Sequence, residues 1–183
     1  MVFNEHYNLV GKHAFLSPSQ YHWVNYDEEK LKERYLSYQA KERGLEFHAL
    51  AETCIRLGVK LAKNQNALNR FVNDAIGFKM TPEQPLYYSE NCFGTADAIS
   101  FRKKLLRIHD LKTGSVPASM TQLEVYSALF CLEYGYSPTE FDIELRIYQF
   151  NDVLVENPDP EDIQHIMDTI IDFDMYLNEL KAM

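Results

Sequence analysis

The chain has 183 residues, 46% hydrophobic, 25% charged and 13% aromatic, and its 18 basic against 27 acidic side chains give a net charge of −9. That length suits one domain with a sizeable core, and no apolar run reaches the roughly 18 residues of a membrane span. The first 15 residues lack the basic-then-apolar order of a secretory signal, and Cys54, Cys92 and Cys131 are too scattered for a disulfide framework or zinc cluster, so a reducing, cytoplasmic setting is expected.

Ser17-Pro18-Ser19 reads as a helix start, and residues 27–42 as a charged helix that stops at Gly44. Residues 46–63 form the next helix, with Phe47, Leu50, Cys54, Leu57 and Leu61 recurring at helical spacing and facing the core. A shorter helix covers 65–76, and Pro82 and Pro85 then punctuate a change of period. Strands follow at 86–90, 93–101 and 105–112, the last broken by Thr113-Gly114-Ser115. Residues 119–134 read as a helix and 140–150 as a further strand. Asp159-Pro160-Glu161-Asp162 starts a helix, with acids on the positive end of its dipole. Ile163, Ile166, Met167, Ile170, Phe173, Leu177 and Leu180 form its apolar stripe. Without repeats or low-complexity linkers, the order predicts one mixed α/β domain, a small central sheet flanked by helices.

The charge is unevenly spread. Residues 139–183 hold twelve acids and two bases, a sum of −10, whereas residues 1–138 hold fifteen acids and sixteen bases, a sum of +1. Taken whole, the acidity argues against a nucleic-acid partner; partitioned, it does not. Arg102, Lys103, Lys104, Arg107 and Lys112 make a basic cluster, which is either a nucleic-acid contact or a solvated turn.

On the third strand, Asp110 and Lys112 are two apart and share a face. A hairpin centred between Lys103 and Lys104 puts Asp97 opposite Asp110. That centre lacks the usual glycine or asparagine, so a longer loop of the same register is expected. Facing like charges destabilise a strand pair, and a divalent cation between them reverses the sign; the alternative is two solvated acids diverging at a frayed edge. His48 and Glu52 are i,i+4 neighbours offset from the apolar stripe, and Gln122 and Tyr126 are i,i+4 neighbours on the later helix. Each of these also has a plain reading as a surface or core residue.

Gly44…His48, Gly94…Asp97, Asp110-Leu111-Lys112 and Gln122…Tyr126 stand in the order GxxxH, GxxD, DxK, QxxxY. Together they resemble the RecB-type, lambda-exonuclease-like branch of the PD-(D/E)XK nuclease superfamily over residues 44–150. The resemblance implies an αβββαβ restriction-endonuclease-like core at 44–150, with 1–43 as a helical extension and 151–183 as an acidic C-terminal helix. It implies Mg²⁺ or Mn²⁺ held by His48, Asp97, Asp110 and the Leu111 carbonyl, with Glu52 in support. Lys112 would orient the attacking water and stabilise charge on the phosphate, while Gln122 and Tyr126 would contact the DNA backbone. Arg102, Lys103 and Lys104 add an expected DNA contact. No iron–sulfur cluster is expected from three scattered cysteines, and no GxxxxGK[ST] is present for ATP.

The implied activity is a metal-dependent deoxyribonuclease, an exonuclease of phage-type DNA recombination, replication or repair. A structure-specific endonuclease on the same core, or a non-catalytic DNA- or protein-binding regulatory protein, are the alternatives. DNA and a recombination or single-strand-binding protein are the expected partners, with no membrane contact. A homo-oligomer fits the ring-forming members of that branch.

Overall fold

The structure is a computed structural model that describes residues 6–9, 11–114 and 116–183. Ser115 of the expected strand break lies outside the described residues, as do residues 1–5 and 10 of the segment read for a secretory signal. Two compact units divide the chain, Met1–Arg43 and Gly44–Met183. In the first, Ser17-Pro18 opens a 3-10 segment, Pro18–Asn25, and Phe15 packs its ring at 5.2 Å from Tyr35 and 5.5 Å from Tyr38.

Helix α1 spans Glu28–Leu57, and its residues from Gly44 onward belong to the second unit. This corrects two expectations. Gly44 does not end a helix, because it keeps helical backbone and the chain runs on through it. Of the expected stripe, Cys54 is buried, but Phe47, Leu50 and Leu57 are exposed and Leu61 lies past the helix end at Leu57; Ala51 and Ile55 are the other buried residues. Small side chains at Gly44 and Ala51 let that face come close to the sheet, which turns His48 inward with it.

Helix α2 spans Ala67–Gly77, capped by Asn66, whose side chain accepts from the Leu68 and Asn69 N–H groups. Five strands follow in two runs: β1 Thr81–Ser89, β2 Cys92–Arg102 and β3 Leu105–Lys112, then, after helix α3 (Thr121–Tyr134), β4 Asp142–Gln149 and β5 Asp152–Glu156. Helix α4 covers Pro160–Ala182. The fold is mixed α/β. Its sheet has the order β1-β2-β3-β4-β5, all neighbours antiparallel except the parallel pair β3–β4 that α3 connects.

Strand β1 starts five residues earlier than the sequence suggested and contains Pro82 and Pro85. A proline removes a ladder donor, and β1 tolerates two because it is an edge strand. The β2–β3 connection is a two-residue turn and not a longer loop: Arg102 pairs with Leu105, and Lys103 and Lys104 both take positive φ, 52° and 59°. Strand β5 was not expected; it extends the sheet within the segment read as purely helical.

Two cores cover the faces of the sheet. On one, α3 and the start of α4 bury Leu106, Ile108, Leu145 and Ile147 against Leu123, Leu129 and Ile163. On the other, α1 and α2 enclose Ala98, Leu111 and Tyr148 against Ala51, Ile55, Phe71 and Val72. Of the α4 stripe, Ile163 and Met167 are buried while Phe173, Leu177 and Leu180 are exposed. That far half is held by polar contacts, Ser89 Oγ to Asp174 at 2.5 Å and Asn91 Nδ2 to Asp174 at 2.8 Å. Among the described residues no helix is long and apolar enough to cross a membrane.

Candidate metal centre

The β2–β3 ladder ends at Ala98↔His109, although β2 continues along β1 to Cys92 and β3 continues along β4 to Lys112. The two central strands therefore part, and Asp97 and Asp110 stand at the fork. Here the Asp97 carboxylate replaces the missing ladder partner: the Leu111 N–H donates to its Oδ2 at 2.8 Å. Leu111 also buries its side chain in the α1–α2 core.

Three side chains from different elements converge here, His48, Glu83 and Asp97. His48 of α1 brings Nδ1 to 3.5 Å from Asp97 Oδ2 and 3.8 Å from Glu83 Oε1. The ligand atoms of His48, Glu83 and Asp97 all lie within 4.8 Å of one another. Atoms sharing an octahedral ion at about 2.1 Å stand about 3 to 4.2 Å apart, so both His48 distances fall in that range. A nitrogen and two carboxylate oxygens suit a divalent cation such as Mn²⁺ or Mg²⁺.

Glu83 is absent from the sequence reading. It lies between the pairs Pro82↔Ala98 and Gln84↔Ala96, opposite Asp97, with a positive φ of 47°. The two prolines around it hid the start of β1, so it read as loop. Strand register was the signal that could have found it.

Asp110 sits beside this trio and outside it. Its Oδ1 pairs with Lys112 Nζ at 3.1 Å, while its buried Oδ2 has no hydrogen-bond partner among the described residues. An orphaned carboxylate oxygen in a buried position is costly and calls for a cation or a proton. Burial and then the Asp110 charge push the Asp97 carboxyl up to about 6. Burial raises Asp110 as well, against the opposing pull of Lys112. Glu83 is raised by burial, with the neighbouring Glu52 adding to the shift against the opposing pull of His48. A site that discourages three carboxylates from ionising is one that a cation would stabilise.

Lys112 Nζ also donates to Gln122 Oε1 on α3 at 2.6 Å, which joins the DxK and QxxxY positions physically. Tyr126 leans over Gly94: a Cβ there would meet the Tyr126 ring at 3.0 Å. Gly44 is likewise required by closeness, since a Cβ on it would meet Thr113 Oγ1 at 2.9 Å. Gly94 thus makes room for Tyr126, and Gly44 for the residue that follows Lys112.

Other expected residues lie apart. Glu52 is engaged by Arg56 at 2.8 Å and borders Glu83. Arg102, Lys103 and Lys104 are at the hairpin tip, roughly 16 Å along the strand from Asp97, and the structure does not bring them to the cluster. Arg107 pairs with Glu144 at 2.9 Å and lies over the Phe78 ring, on the α2 face. His109 alternates to that face too, where burial, then Arg146 and Arg107, hold it neutral with its pKa lowered to about 3.

No protein-family model, curated protein or solved structure matches this chain.

Proposed function

We propose that this chain is a Mg²⁺- or Mn²⁺-dependent deoxyribonuclease that degrades DNA from its ends. The observation that carries the reading is the buried, unpartnered Asp110 Oδ2 beside the His48–Glu83–Asp97 trio, with Lys112 fixed between Asp110 and Gln122. His48, Glu83 and Asp97 would hold the ion, with Asp110 as a further oxygen ligand. A divalent cation there would polarise a phosphoryl oxygen and lower the pKa of a bound water.

The protein's own part is positioning. Gln122 fixes the Lys112 ammonium, which can orient a water and meet negative charge gathering on a phosphate. Tyr126, seated against Gly94 three residues before Asp97, would meet the DNA backbone. The sequence pattern GxxxH, GxxD, DxK, QxxxY adds support, because its four pieces meet at one site.

Incubating linear and covalently closed duplex DNA with the protein and Mg²⁺ or Mn²⁺ tests the reading. Linear DNA should shorten from its ends, closed circles should persist, and Asp110→Ala and Lys112→Ala should each abolish turnover. Cutting of closed circles would make it an endonuclease on the same core. Hydrolysis that survives both substitutions would remove the assignment.

A further inference from the structure

Beside the metal cluster, and sharing Leu111 and Lys112 with it, lies a half-open cavity of about 160 Å³. Phe47, Leu68 and Phe150 give it apolar walls, with Thr113 and Gly114 at its rim. An enclosed apolar cavity of about 150 Å³ accommodates benzene, so this one, open on one side, has room for one flat base and not for a base pair.

Two features single the pocket out. Phe150 is the first residue of the two-residue turn that joins β4 to β5, where Gln149 pairs with Asp152. It holds a positive φ of 56°, a place glycine normally fills and one where a bulky side chain is an outlier. The turn is clamped in that state, because the Ala67 N–H donates to the Phe150 carbonyl at 3.1 Å and Arg70 Nη1 to the Asn151 carbonyl at 3.1 Å. Despite this, the ring is 56% exposed, and Phe47 across the cavity is 41% exposed. Two aromatic rings are thus kept open to solvent next to the lysine of the site.

The occupant is not a phosphate. The α2 N-terminus borders the pocket, but its first N–H groups are already used: Ala67 by Phe150, and Leu68 and Asn69 by the Asn66 side chain. Apolar walls, with those helix-terminal donors spent, favour a flat, apolar-faced ring, and Lys112 in the lining favours one attached to a phosphate.

We propose that this pocket takes one unpaired nucleobase of the strand being cut, stacked on Phe150 and Phe47 beside the phosphate at Lys112. The inference rests on the nuclease reading and sharpens it. The substrate is a single-stranded or frayed end, because only an unpaired base can enter a pocket that has no room for a base pair. Sequence preference should be slight, since every base offers a stacking face.

The test uses the full chain with Ca²⁺ in place of Mg²⁺ and short single-stranded DNA carrying 2-aminopurine at successive positions from one end. One position should lose fluorescence on binding. Phe150→Gly should abolish that quenching and weaken binding about 5- to 150-fold, by the usual worth of one stacked base. Its melting temperature should hold or rise, because glycine relieves the turn. Phe47→Leu should reduce the quenching, and Phe173→Ala, on the far half of α4, should leave it intact. Quenching that survives both Phe150→Gly and Phe47→Leu, or no quenched position at all, would overturn the pocket. Hydrolysis in Mg²⁺ on the same preparation separates the two ideas: turnover without quenching leaves the nuclease and removes the pocket, and quenching without turnover does the reverse.

Discussion

Asp97, half-buried, and His109, fully buried, are ionisable groups with opposite effects on acid stability. Burial and Asp110 raise the Asp97 carboxyl from 3.8 to about 6, so between those values the folded state holds a proton that the unfolded chain has released. Stability from this group is present below its unfolded pKa and is lost as pH rises to about 6. Burial lowers the His109 imidazole from 6.5 to about 3, so its contribution is present above 6.5 and is lost as pH falls toward 3. The two slopes oppose each other between about pH 4 and 6. Asp97→Asn should therefore stabilise the metal-free protein by up to about 3 kcal/mol at pH 8. It should also unmask a stability that climbs from pH 4 to 6.5, and it should remove the gain in melting temperature that Mn²⁺ gives the parent. Urea titrations across pH, with and without Mn²⁺, measure all three. An unchanged pH profile would mean that Asp97 is not the strained group.

At the level of elements, the β2–β3 hairpin departs most from its local sequence. Its turn forces Lys103 and Lys104 into the left-handed region, at φ 52° and 59°. Each L side chain there costs roughly 1 kcal/mol. The pair Lys103→Asn and Lys104→Gly should raise stability by about 1–2 kcal/mol. The turnover rate and its salt dependence should stay the same, because the tip lies five residues from Asp97 along β2. A weaker salt dependence would restore the tip as a DNA contact. The register of this hairpin was legible in the sequence, since alternation and spacing fix it. The turn type was not, because sheet pairing on both sides overrides what two lysines prefer alone. Helix α1 shows a similar limit. Counting apolar residues picked Phe47, Leu50, Cys54, Leu57 and Leu61 as the inward face and was right for Cys54, but close approach to the sheet is decided by small side chains, and Gly44 and Ala51 outweigh the larger ones. Four motifs were readable as types at spacings. Glu83 was not, because its role depends on which strand lies opposite it.

Across the whole molecule, both hydrophobic cores are built from residues at or beyond Ala51, and every residue of the candidate centre lies at or beyond Gly44. A chain of residues 44–183 should therefore melt cooperatively and keep the Mn²⁺-dependent rise in melting temperature. Thermal denaturation of that fragment tests this, and a non-cooperative melt would show that the core depends on the first unit. The charge partition also takes on a structural sense. The acidic segment does not coincide with one tail helix, since it includes β4 and β5, and Glu144 within it is neutralised by Arg107 at 2.9 Å and Arg146 at 3.0 Å. Arg107, counted in the basic cluster, is thereby committed inside the fold.

The parting of β2 from β3 has one more consequence. In a continuous sheet the Leu111 N–H would be held by backbone, indifferent to pH and to ions. Here a carboxylate holds it, at 2.8 Å, and that same oxygen is the one nearest His48. Whatever draws on Asp97, proton or cation, must share it with the last turn of the strand that carries Asp110 and Lys112. The acid that would grip the ion is also a stitch in the backbone, so occupancy of the centre and the set of the lysine beyond it are bound to move together.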